Sequence, residues 1–396
     1  MERKLKDSGI PWIGQIPEHW EILRNKNALV EIRDIVGEDT SFPLLSLSLN
    51  GVKLRDLDGG GKFPAEFNTY KKVSPNNLVF CLFDMDETPR TVGLSKHRGM
   101  ITGAYNVYKV YPEVVTPNWV FYFYLSIDQQ KALKPYYSGL RKVVKPETFA
   151  KIDMPVPPLK EQERIVVWLD KKCCEIDELI EVEQQMISDL ESYRQSVITE
   201  AVTHGLNPDA ELKDSGIYWI GNIPGRWTIA KMKFFVDISN GSDPKTEGDI
   251  PVFGSGATSF KTCGEFKEGP TVLIGRKGAT LHIPHYIEGN YWNVDTAFDT
   301  KVKNYSLKYF FYIASILDYK AYISATTLPS MTQSNYENMQ IPVPPLSEQQ
   351  EIADYLDAKC VEIDELIKVK QEKIETLKQY RQSFIFEAVT GKTNID

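Results

Sequence analysis

In two long segments of the chain, mostly apolar residues recur at alternating gaps of four and three residues. We call these recurring positions the seam. Eight of the ten seam positions are apolar in each segment. This period is typical of coiled coils, and over more than four heptads it predicts two helices of about 45 residues, each roughly 65 Å long. The seam positions are Leu169, Cys173, Ile176, Ile180, Glu183, Ile187, Leu190, Arg194, Val197 and Ala201 in the first segment, and Leu356, Cys360, Ile363, Ile367, Lys370, Ile374, Leu377, Arg381, Phe384 and Ala388 in the second.

The regions before these helices have a different pattern. Short apolar and aromatic runs, broken by Gly, Pro and Asn, fill residues 21–154 and 228–341. They predict short strands and turns, with one helical patch in each region, at residues 118–133 and 307–319. A PVPPL sequence follows each region and is expected to end its last element, because proline lacks an N–H and restricts the residue before it. The predicted fold class is α/β (α+β), with two globular mixed α/β domains joined by two long antiparallel coiled-coil helices.

The framework of the chain is repeated. The opening block recurs 207 positions later with twelve identities in sixteen, and the block from PVPPL into the helix recurs 187 positions later with eighteen identities in twenty-six. The repeated blocks are residues 5–20 and 212–227, 155–180 and 342–367, and 193–203 and 380–390. Between them the halves differ, and the first variable region is 20 residues longer. The expected domains, related by a pseudo-two-fold internal repeat, are residues 1–154, 155–205, 206–341 and 342–396.

Composition indicates a soluble globular protein, with 42% hydrophobic and 25% charged residues. The net charge of −8 is concentrated in the helical segments, since residues 159–205 carry −6 and residues 346–396 carry −4, whereas residues 1–158 carry +3. If the chain binds nucleic acid, the variable regions must therefore provide the contacts. Without a membrane-length apolar run or a signal-peptide core, and with five cysteines that form no CxxC pair, we expect a cytoplasmic protein with small apolar cysteines.

One pair of polar seam positions is expected to set the helix register. Glu183 and Lys370 occupy equivalent positions in the two repeats and have opposite charges. In an antiparallel pair related by a pseudo-dyad near these residues, the two side chains would meet. The alternative is two unrelated surface helices, each packed on its own domain.

Two copies of PxPPLxEQxxI, each followed by a long helix, together with the opening WIGxIPxxW blocks, resemble the specificity subunit of type I restriction-modification enzymes. The matching residues are Pro155, Pro157, Pro158, Leu159, Glu161, Gln162 and Ile165, repeated as Pro342, Pro344, Pro345, Leu346, Glu348, Gln349 and Ile352. The resemblance implies that each variable region is a target-recognition domain reading one half of a split, asymmetric site on double-stranded DNA. It also implies that the helices set the spacing and dock two methyltransferase subunits, through which restriction subunits join.

The same resemblance implies that the chain itself is not an enzyme. Adenine methylation with S-adenosylmethionine, and DNA cleavage with ATP and Mg²⁺, would belong to partner subunits, so the chain should need no cofactor. The sequence agrees in lacking an N/DPPY tetrapeptide and a GxxxxGK[ST] loop. The acids of residues 208–213 are too close together for a nuclease site, and His282 and His285 have no suitable partner at helical spacing, so neither a catalytic nor a metal site is predicted.

DNA contacts are expected in loops that combine Arg or Lys with Gly and small hydroxyl residues, because cations hold phosphates and Arg, Ser and Thr can read base edges. The candidates are Lys71, Lys72, Arg90, Lys96, Arg98, Arg141 and Lys142 in the first region, and Ser242, Lys245, Ser255, Arg276, Lys277, Thr280, Thr326 and Thr327 in the second. The GRKG turn is the first choice, since its glycines would leave Arg276 and Lys277 at the tip. Its alternative is an ordinary hairpin turn with solvated charges.

Two other functions remain open at this point. A stand-alone bipartite DNA-binding regulator would bind its site tightly without partners. A self-contained restriction or methylation enzyme would be active as a single purified chain, but the missing motifs disfavour it.

Overall fold

The structure is a computed structural model that describes residues 4–39, 41–49, 51–55, 67–256, 258–323 and 329–395. The chain divides into two compact units. The first unit consists of Met1–Glu183 together with Glu372–Asp396, and the second unit is Gln184–Gln371. Each of the two long helices therefore contributes one part to each unit.

The segment before the first long helix consists, in its described part, of short strands, three helices and one 3-10 turn. Its strands are β1 (Leu5–Asp7), β2 (Gln15–Pro17), β3 (Glu21–Arg24), β4 (Leu29–Ile32), β5 (Leu45–Ser48), β6 (Gly51–Leu54), β7 (Lys71–Val73), β8 (Leu78–Phe80), β9 (Val92–Leu94), β10 (Gly99–Ile101), β11 (Asn106–Val110) and β12 (Asp153–Val156). Its helices are α1 (Asn25–Ala28), α2 (Pro117–Gln130) and α3 (Pro146–Phe149), and the 3-10 turn is Lys134–Tyr136. The first long helix, α4 (Leu159–His204), follows.

The segment between the two long helices repeats this order with changes. Its strands are β13 (Leu212–Asp214), β14 (Asn222–Pro224), β15 (Thr228–Lys231), β16 (Val236–Asn240), β17 (Ile250–Phe253), β18 (Lys261–Cys263), β19 (Thr271–Gly275), β20 (His285–Ile287), β21 (Trp292–Asn293), β22 (Ala297–Val302) and β23 (Gln340–Val343). Its helices are α5 (Leu307–Ala314) and α6 (Gln333–Asn338), with 3-10 turns at Met232–Phe234 and Tyr319–Ala321. The second long helix is α7 (Leu346–Val389).

Each unit is built on a four-stranded antiparallel sheet of the same topology. The strand order is β4-β11-β8-β9 in the first unit and β16-β22-β19-β20 in the second. The predicted helical patches are confirmed as α2 and α5, and each begins with a hydroxyl N-cap, because Thr116 accepts from the backbone N–H of Trp119 and Ser306 from that of Tyr309. Trp119 and Tyr309 lie in the two largest apolar cores.

The proline-rich sequence before each long helix does not end the preceding strand as expected. Pro155 lies inside β12 and pairs with Ile22, and Pro342 lies inside β23 and pairs with Ile229. The prolines are tolerated because each strand has a single partner, so the missing N–H removes no bond from a second neighbour. The expected domain boundaries after residues 154 and 341 therefore fall inside strands.

The two long helices run antiparallel in each unit, and the seam prediction is confirmed. In the first unit Arg381 lies 3.0 Å from Asp177, and in the second Arg194 lies 2.8 Å from Asp364. These are equivalent pairs, because each residue of one pair has its counterpart 187 positions along the chain. All twenty seam positions are buried or half-buried, whereas most positions between them are exposed.

The predicted register pair, Glu183 with Lys370, joins one residue of each unit and stays a prediction. Within the first unit Glu183 Oε1 accepts a hydrogen bond from Lys373 Nζ at 2.6 Å, and within the second Lys370 Nζ lies 3.3 Å from Met186 Sδ. Met186 is the repeat counterpart of Lys373. An ion pair in one unit is thus replaced by a cation–thioether contact at the same place in the other.

The units differ in the sheets beside the common one. The first unit has the two-stranded pairs β5-β6 and β7-β10, and the second has the three-stranded sheet β18-β17-β21. These additions occupy the divergent part of the sequence. Among the described residues, none of the helices is sufficiently long and apolar to span a bilayer.

Candidate nucleic-acid interface

The repeated glutamate of PPLxEQ anchors the opening block of each unit. Glu161 Oε1 accepts from the indole N–H of Trp20 at 3.0 Å, and its Oε2 lies 2.7 Å from His19 Nε2. In the second unit Glu348 accepts from the indole of Trp227 at 2.9 Å and pairs with Arg226 at 3.0 Å. Both indoles are fully buried, so each glutamate holds the opening block against the start of a long helix.

The repeated glutamine of the same motif holds the variable region. Gln162 Oε1 accepts from the backbone N–H of Thr116, the N-cap residue of α2, at 2.8 Å. Gln349 does the same for Ser306, the N-cap residue of α5, at 2.8 Å. The amide nitrogens of both glutamines donate to backbone carbonyls of the preceding proline-rich sequence. In this chain the motif therefore fixes the start of one helix against the start of another.

A third repeated contact lies about two turns further along each long helix. The Tyr122 hydroxyl donates to Asp170 at 2.6 Å, and the Tyr312 hydroxyl donates to Asp357 at 2.7 Å. Burial raises the pKa of both tyrosines well above the usual range. The phenols therefore remain neutral donors, and α2 and α5 are each fixed to a long helix at two points.

In the first unit the turn after β8 meets the segment before β12, and we call residues 82–86 and 138–144 the first junction. Val144 N donates to Leu82 O at 2.9 Å, and Asp84 N donates to Arg141 O at 2.7 Å. Backbone bonds at 2.9 and 3.0 Å close the ends of 138–143 into a tight loop. Leu140 is fully exposed at its tip.

The predicted contacts Arg141 and Lys142 lie in this junction, each beside a carboxylate. Arg141 Nη2 is 2.6 Å from Asp84 Oδ2, and Lys142 Nζ is 2.9 Å from Asp86 Oδ2. The Arg141 guanidinium also lies 4.9 Å from the ring centroid of Phe83. Hydrogen bonds from the two cations hold the pKa of Asp84 and of Asp86 below the usual range, so both pairs are ionised at neutral pH.

Lys71 lies next to the first junction through Tyr105. The Lys71 ammonium donates to Tyr105 O at 2.6 Å, and the Tyr105 ring stacks on Phe83 with centroids 6.0 Å apart. Burial lowers the pKa of Lys71. Arg141, Phe83, Tyr105 and Lys71 thus form a continuous row.

Lys72 and Arg98 form a second group around one aromatic ring. Lys72 Nζ lies 5.6 Å and the Arg98 guanidinium 5.4 Å from the centroid of Phe42. Lys72 is also 3.5 Å from Asp34, and Lys96 is exposed nearby in sequence. Two predicted cations are thus brought together by a residue that the sequence did not single out.

Arg90 has a different environment from the other candidates. Its Nη2 donates to Leu49 O at 2.7 Å, and burial lowers its pKa. The charges that act on it come from Asp128, Asp177 and Arg381. Arg90 therefore lies among residues of α2 and the helix pair.

In the second unit the equivalent turn after β19 meets the segment before α6, and we call residues 276–280, 295–296 and 329–331, with Ser255, the second junction. Met331 N donates to Arg276 O at 2.9 Å, and Gly278 N donates to Pro329 O at 3.0 Å. Met331 follows Val144 by 187 positions, the offset of the repeat. The two junctions therefore occupy the same place in the fold.

Four predicted contacts of the second region come together in this junction. Ser255 Oγ donates to Lys277 O, and Thr280 Oγ1 donates to Ser255 O at 2.7 Å. Arg276 Nη1 donates to Asp295 O at 3.1 Å, and Lys277 Nζ lies 3.7 Å from Asp295 Oδ2. The structure thus brings together residues from a stretch of 26 positions, namely Ser255, Arg276, Lys277 and Thr280.

The GRKG turn does not present its cations at a free tip. The side chains of Arg276 and Lys277 are 33% and 40% exposed, and the Arg276 guanidinium lies 5.8 Å from the Phe298 ring centroid. The turn folds back tightly, because a Cβ on Gly275 would stand 2.3 Å from Leu281 Cα. It is therefore neither the open tip nor the solvated hairpin turn that the sequence suggested.

The remaining candidates of the second region lie in another loop or outside the described residues. Ser242 O accepts from the indole of Trp292 at 2.7 Å, and the Lys245 N–H donates to Glu265 at 2.7 Å. Hydrogen bonds, led by one from Thr246, lower the pKa of Glu265 to about 2. The predicted contacts Thr326 and Thr327 lie outside the described residues.

Sequence reasoning missed four junction residues, Phe83, Asp84, Asp86 and Asp295, and also Phe298, whose ring lies beside Arg276 of the second junction. The acids carry no motif, and Asp84 is 57 positions from Arg141, so no local pattern identifies them. Within the described part of the chain, no three His, Cys, Asp or Glu side chains are grouped so that they could hold a metal ion.

The repeated framework thus carries two polar junctions that occupy equivalent places in the fold but contain different residues. Comparison with known proteins identifies its class. The family described as type I restriction modification DNA specificity domain matches residues 104–192 and 225–379, which is more than half of the chain. The chain belongs to this family and is a DNA-recognition subunit of a type I restriction-modification complex.

Individual relatives agree over almost the whole length. The chain is 23% identical over 430 residues to the putative type I restriction enzyme MjaX specificity subunit of Methanocaldococcus jannaschii, covering 97% of this chain and 96% of the relative. It is 23% identical to the MjaVIII specificity subunit of the same organism, covering 96% and 94%.

Two solved structures share the fold at 18% identity. One comes from work on complex assembly and conformational transition of the type I R-M system, with a TM-score of 0.73 over 96% of this chain and 99% of that one. The other is the HsdS subunit of Thermoanaerobacter tengcongensis, with a TM-score of 0.51 over 96% and 98%. The predicted fold class and family are thereby confirmed.

Proposed function

We propose that each unit reads one half of a split, asymmetric DNA site, with its junction as the reading surface. The observation that carries this proposal is that both junctions occupy the same place in the fold but contain different residues. Arg141 and Lys142 stand in one, and Arg276 and Lys277 in the other. A common position suits a common ligand, DNA, whereas different side chains suit different base sequences.

The helices carry a repeated apolar surface that we propose docks two methyltransferase subunits. The first unit exposes Leu179, Val182 and Tyr380, and the second exposes their repeat counterparts Leu366, Val369 and Tyr193. Leu179 and Val182 are three positions apart, so they share one helix face, as do Leu366 and Val369. Exposed apolar residues that recur in matched positions favour two identical partners. Restriction subunits would join through the methyltransferases.

The chain itself would do no chemistry in this complex. S-adenosylmethionine, ATP and Mg²⁺ would be bound by partner subunits, in agreement with the absence of their sequence motifs from the chain. The use of the long helices as a ruler between half-sites, and the cytoplasmic location, stay predictions of the sequence.

Base-resolution mapping of methylated adenines tests the proposal. Cells that express the methyltransferase subunit with and without this chain would be compared. A split, asymmetric methylation motif that depends on the chain is expected. Replacing residues 228–341 with the corresponding region of a relative should change one half of the motif and leave the other. A methylome that does not depend on the chain would contradict the proposal.

A further inference from the structure

We propose that Arg141 reads a guanine in the half-site of the first unit, and that Asp84 and Phe83 orient its guanidinium. The inference rests on the proposed function of the junction and adds the base, the residue that reads it and the residues that orient it. Arginine recognises guanine by donating two parallel N–H bonds to O6 and N7 in the major groove. The geometry of Arg141 leaves the required pair of donors available.

The carboxylate of Asp84 engages one side of the guanidinium. Arg141 Nη2 donates to Oδ2 at 2.6 Å, and Nε lies 3.4 Å from Oδ1. A guanidinium has five N–H groups, so side-on pairing through Nε and one hydrogen of Nη2 leaves the fork formed by Nη1 and the other hydrogen of Nη2. Among the described residues, Asp84 is the carboxylate that pairs with Arg141, and the side-chain hydrogen bonds of the guanidinium run from Nε and Nη2 to Asp84.

Asp84 and Phe83, which orient the guanidinium, are themselves held by further contacts. Asp84 N donates to Arg141 O at 2.7 Å, and Asp84 O accepts from Thr88 Oγ1 at 2.9 Å. The ring of Phe83 lies under the guanidinium and stacks in turn on Tyr105. An arginine fixed by a carboxylate and a ring loses little side-chain entropy when it binds a base.

Neighbouring cations are less suited to this role. Lys142 is paired with Asp86, but an ammonium is a point donor without a planar fork, so it suits a phosphate. Arg276 also combines an aspartate with a phenylalanine, but its Nη1 already donates to Asp295 O and the side chain is 33% exposed, against 68% for Arg141. Arg141 is therefore the arginine of the two junctions whose end-on fork is open.

The test measures sequence discrimination by the complete methyltransferase complex. The methylation motif of the unaltered complex is determined first, and initial methylation rates are then measured on oligonucleotides in which each half-site base pair is replaced in turn. For Arg141→Ala we expect a loss of about 5- to 150-fold in discrimination at one G·C pair in the half read by the first unit. The other half should be read as before, which also shows that the complex is folded.

Two variants separate reading from charge. Asp84→Asn keeps Arg141 and removes a negative charge. It should therefore reduce discrimination at the same G·C pair, while the affinity for non-specific DNA stays equal or rises. Lys142→Ala should weaken all sequences alike. Arg24→Ala, which removes an exposed arginine paired with Asp153 at 3.8 Å, is the matched control and should leave the motif unchanged.

The possible failures are distinguishable. If no methylation motif depends on the chain, the proposed function itself fails. Suppose that the motif exists but Arg141→Ala leaves discrimination unchanged, reduces it equally at all positions, or reduces it at an A·T pair. In each of these cases only the guanine assignment is overturned. The same holds if Asp84→Asn affects a position different from that of Arg141→Ala.

Discussion

The indole N–H of Trp20 donates to Glu161 at 3.0 Å, and Trp227 donates to Glu348 at 2.9 Å in the second unit. The glutamate that defines the PPLxEQ motif therefore has a structural partner in each repeat. Its side chain is almost buried, at 12% exposure for Glu161 and 10% for Glu348. Both glutamates accept from a fully buried tryptophan, and each also contacts an exposed basic side chain, His19 for Glu161 and Arg226 for Glu348.

Glu161→Ala should destabilise the first unit by about 1–3 kcal/mol, because it leaves the buried Trp20 N–H without its acceptor. Glu161→Gln keeps an acceptor oxygen and should cost less. Urea denaturation of the full chain, followed by tryptophan fluorescence, measures both. Glu163→Ala on the same helix turn is the control for lost charge. Equal effects of Glu161→Ala and Glu163→Ala would contradict the structural role.

Charge reversals at the ion pairs between the long helices should show coupling in a double-mutant cycle. Arg194→Asp and Asp364→Arg each place like charges together and should cost about 0.2–1 kcal/mol, while the double variant restores the pair. Arg381 and Asp177 give the matched cycle in the first unit. Equilibrium unfolding measures the coupling free energy. Additive losses in both cycles would show that the antiparallel register differs from the one described.

Val182→Asp and Val369→Asp should each remove one methyltransferase subunit from the complex. A buried carboxylate without a partner is strongly disfavoured at an apolar interface, so each single variant should bind one subunit and the double variant none. Native mass spectrometry measures the stoichiometry. Val167→Asp is the control, since Val167 is exposed but its repeat counterpart is Asp354. Two bound subunits in the double variant would refute this docking surface.

Glu265 should make the second unit less stable in acid. Its pKa is about 2 in the folded protein against an ordinary value of 4.5, so its contribution is complete above about pH 4.5 and is lost as pH falls towards 2. Urea denaturation at pH 5 and pH 3 measures the free energy of unfolding at each pH. The difference between the two values should be smaller for Glu265→Gln than for the unaltered chain. Glu268→Gln is the control for the loss of an exposed carboxylate. An unchanged pH dependence in Glu265→Gln would contradict this assignment.

Arg276→Ala and Lys277→Ala should differ in their effect on the half-site of the second unit. Loss of a base-reading arginine costs about 1–3 kcal/mol and relaxes one position, whereas loss of a phosphate-binding lysine weakens all sequences and lowers the salt dependence. Binding of the methyltransferase complex to substituted oligonucleotides at several salt concentrations separates the two. If both variants bind and discriminate as the unaltered complex does, the second junction is not a DNA contact.

The framework was predictable because its signals are local and repeated. A seam period identifies a long helix without knowledge of its partner, and the buried seam from Leu169 to Ala201 agrees with that period. The helical patches around Trp119 and Tyr309 were equally clear from their apolar content. The role of Pro155 was missed, because tolerance of a proline in a strand depends on the number of neighbouring strands, which the sequence does not specify.

The repeat, the two helices, the family and the cationic loops all follow from the sequence. Which of those cations stand together, and how they are held, depends on the tertiary fold. Arg141 meets Asp84 across 57 positions, and Arg90, of the same residue type, lies among charges of α2 and the helix pair. The reason is physical: helix period is set by bonds between near neighbours in the chain, whereas the pairing of loops depends on which turns the packed sheet brings into contact.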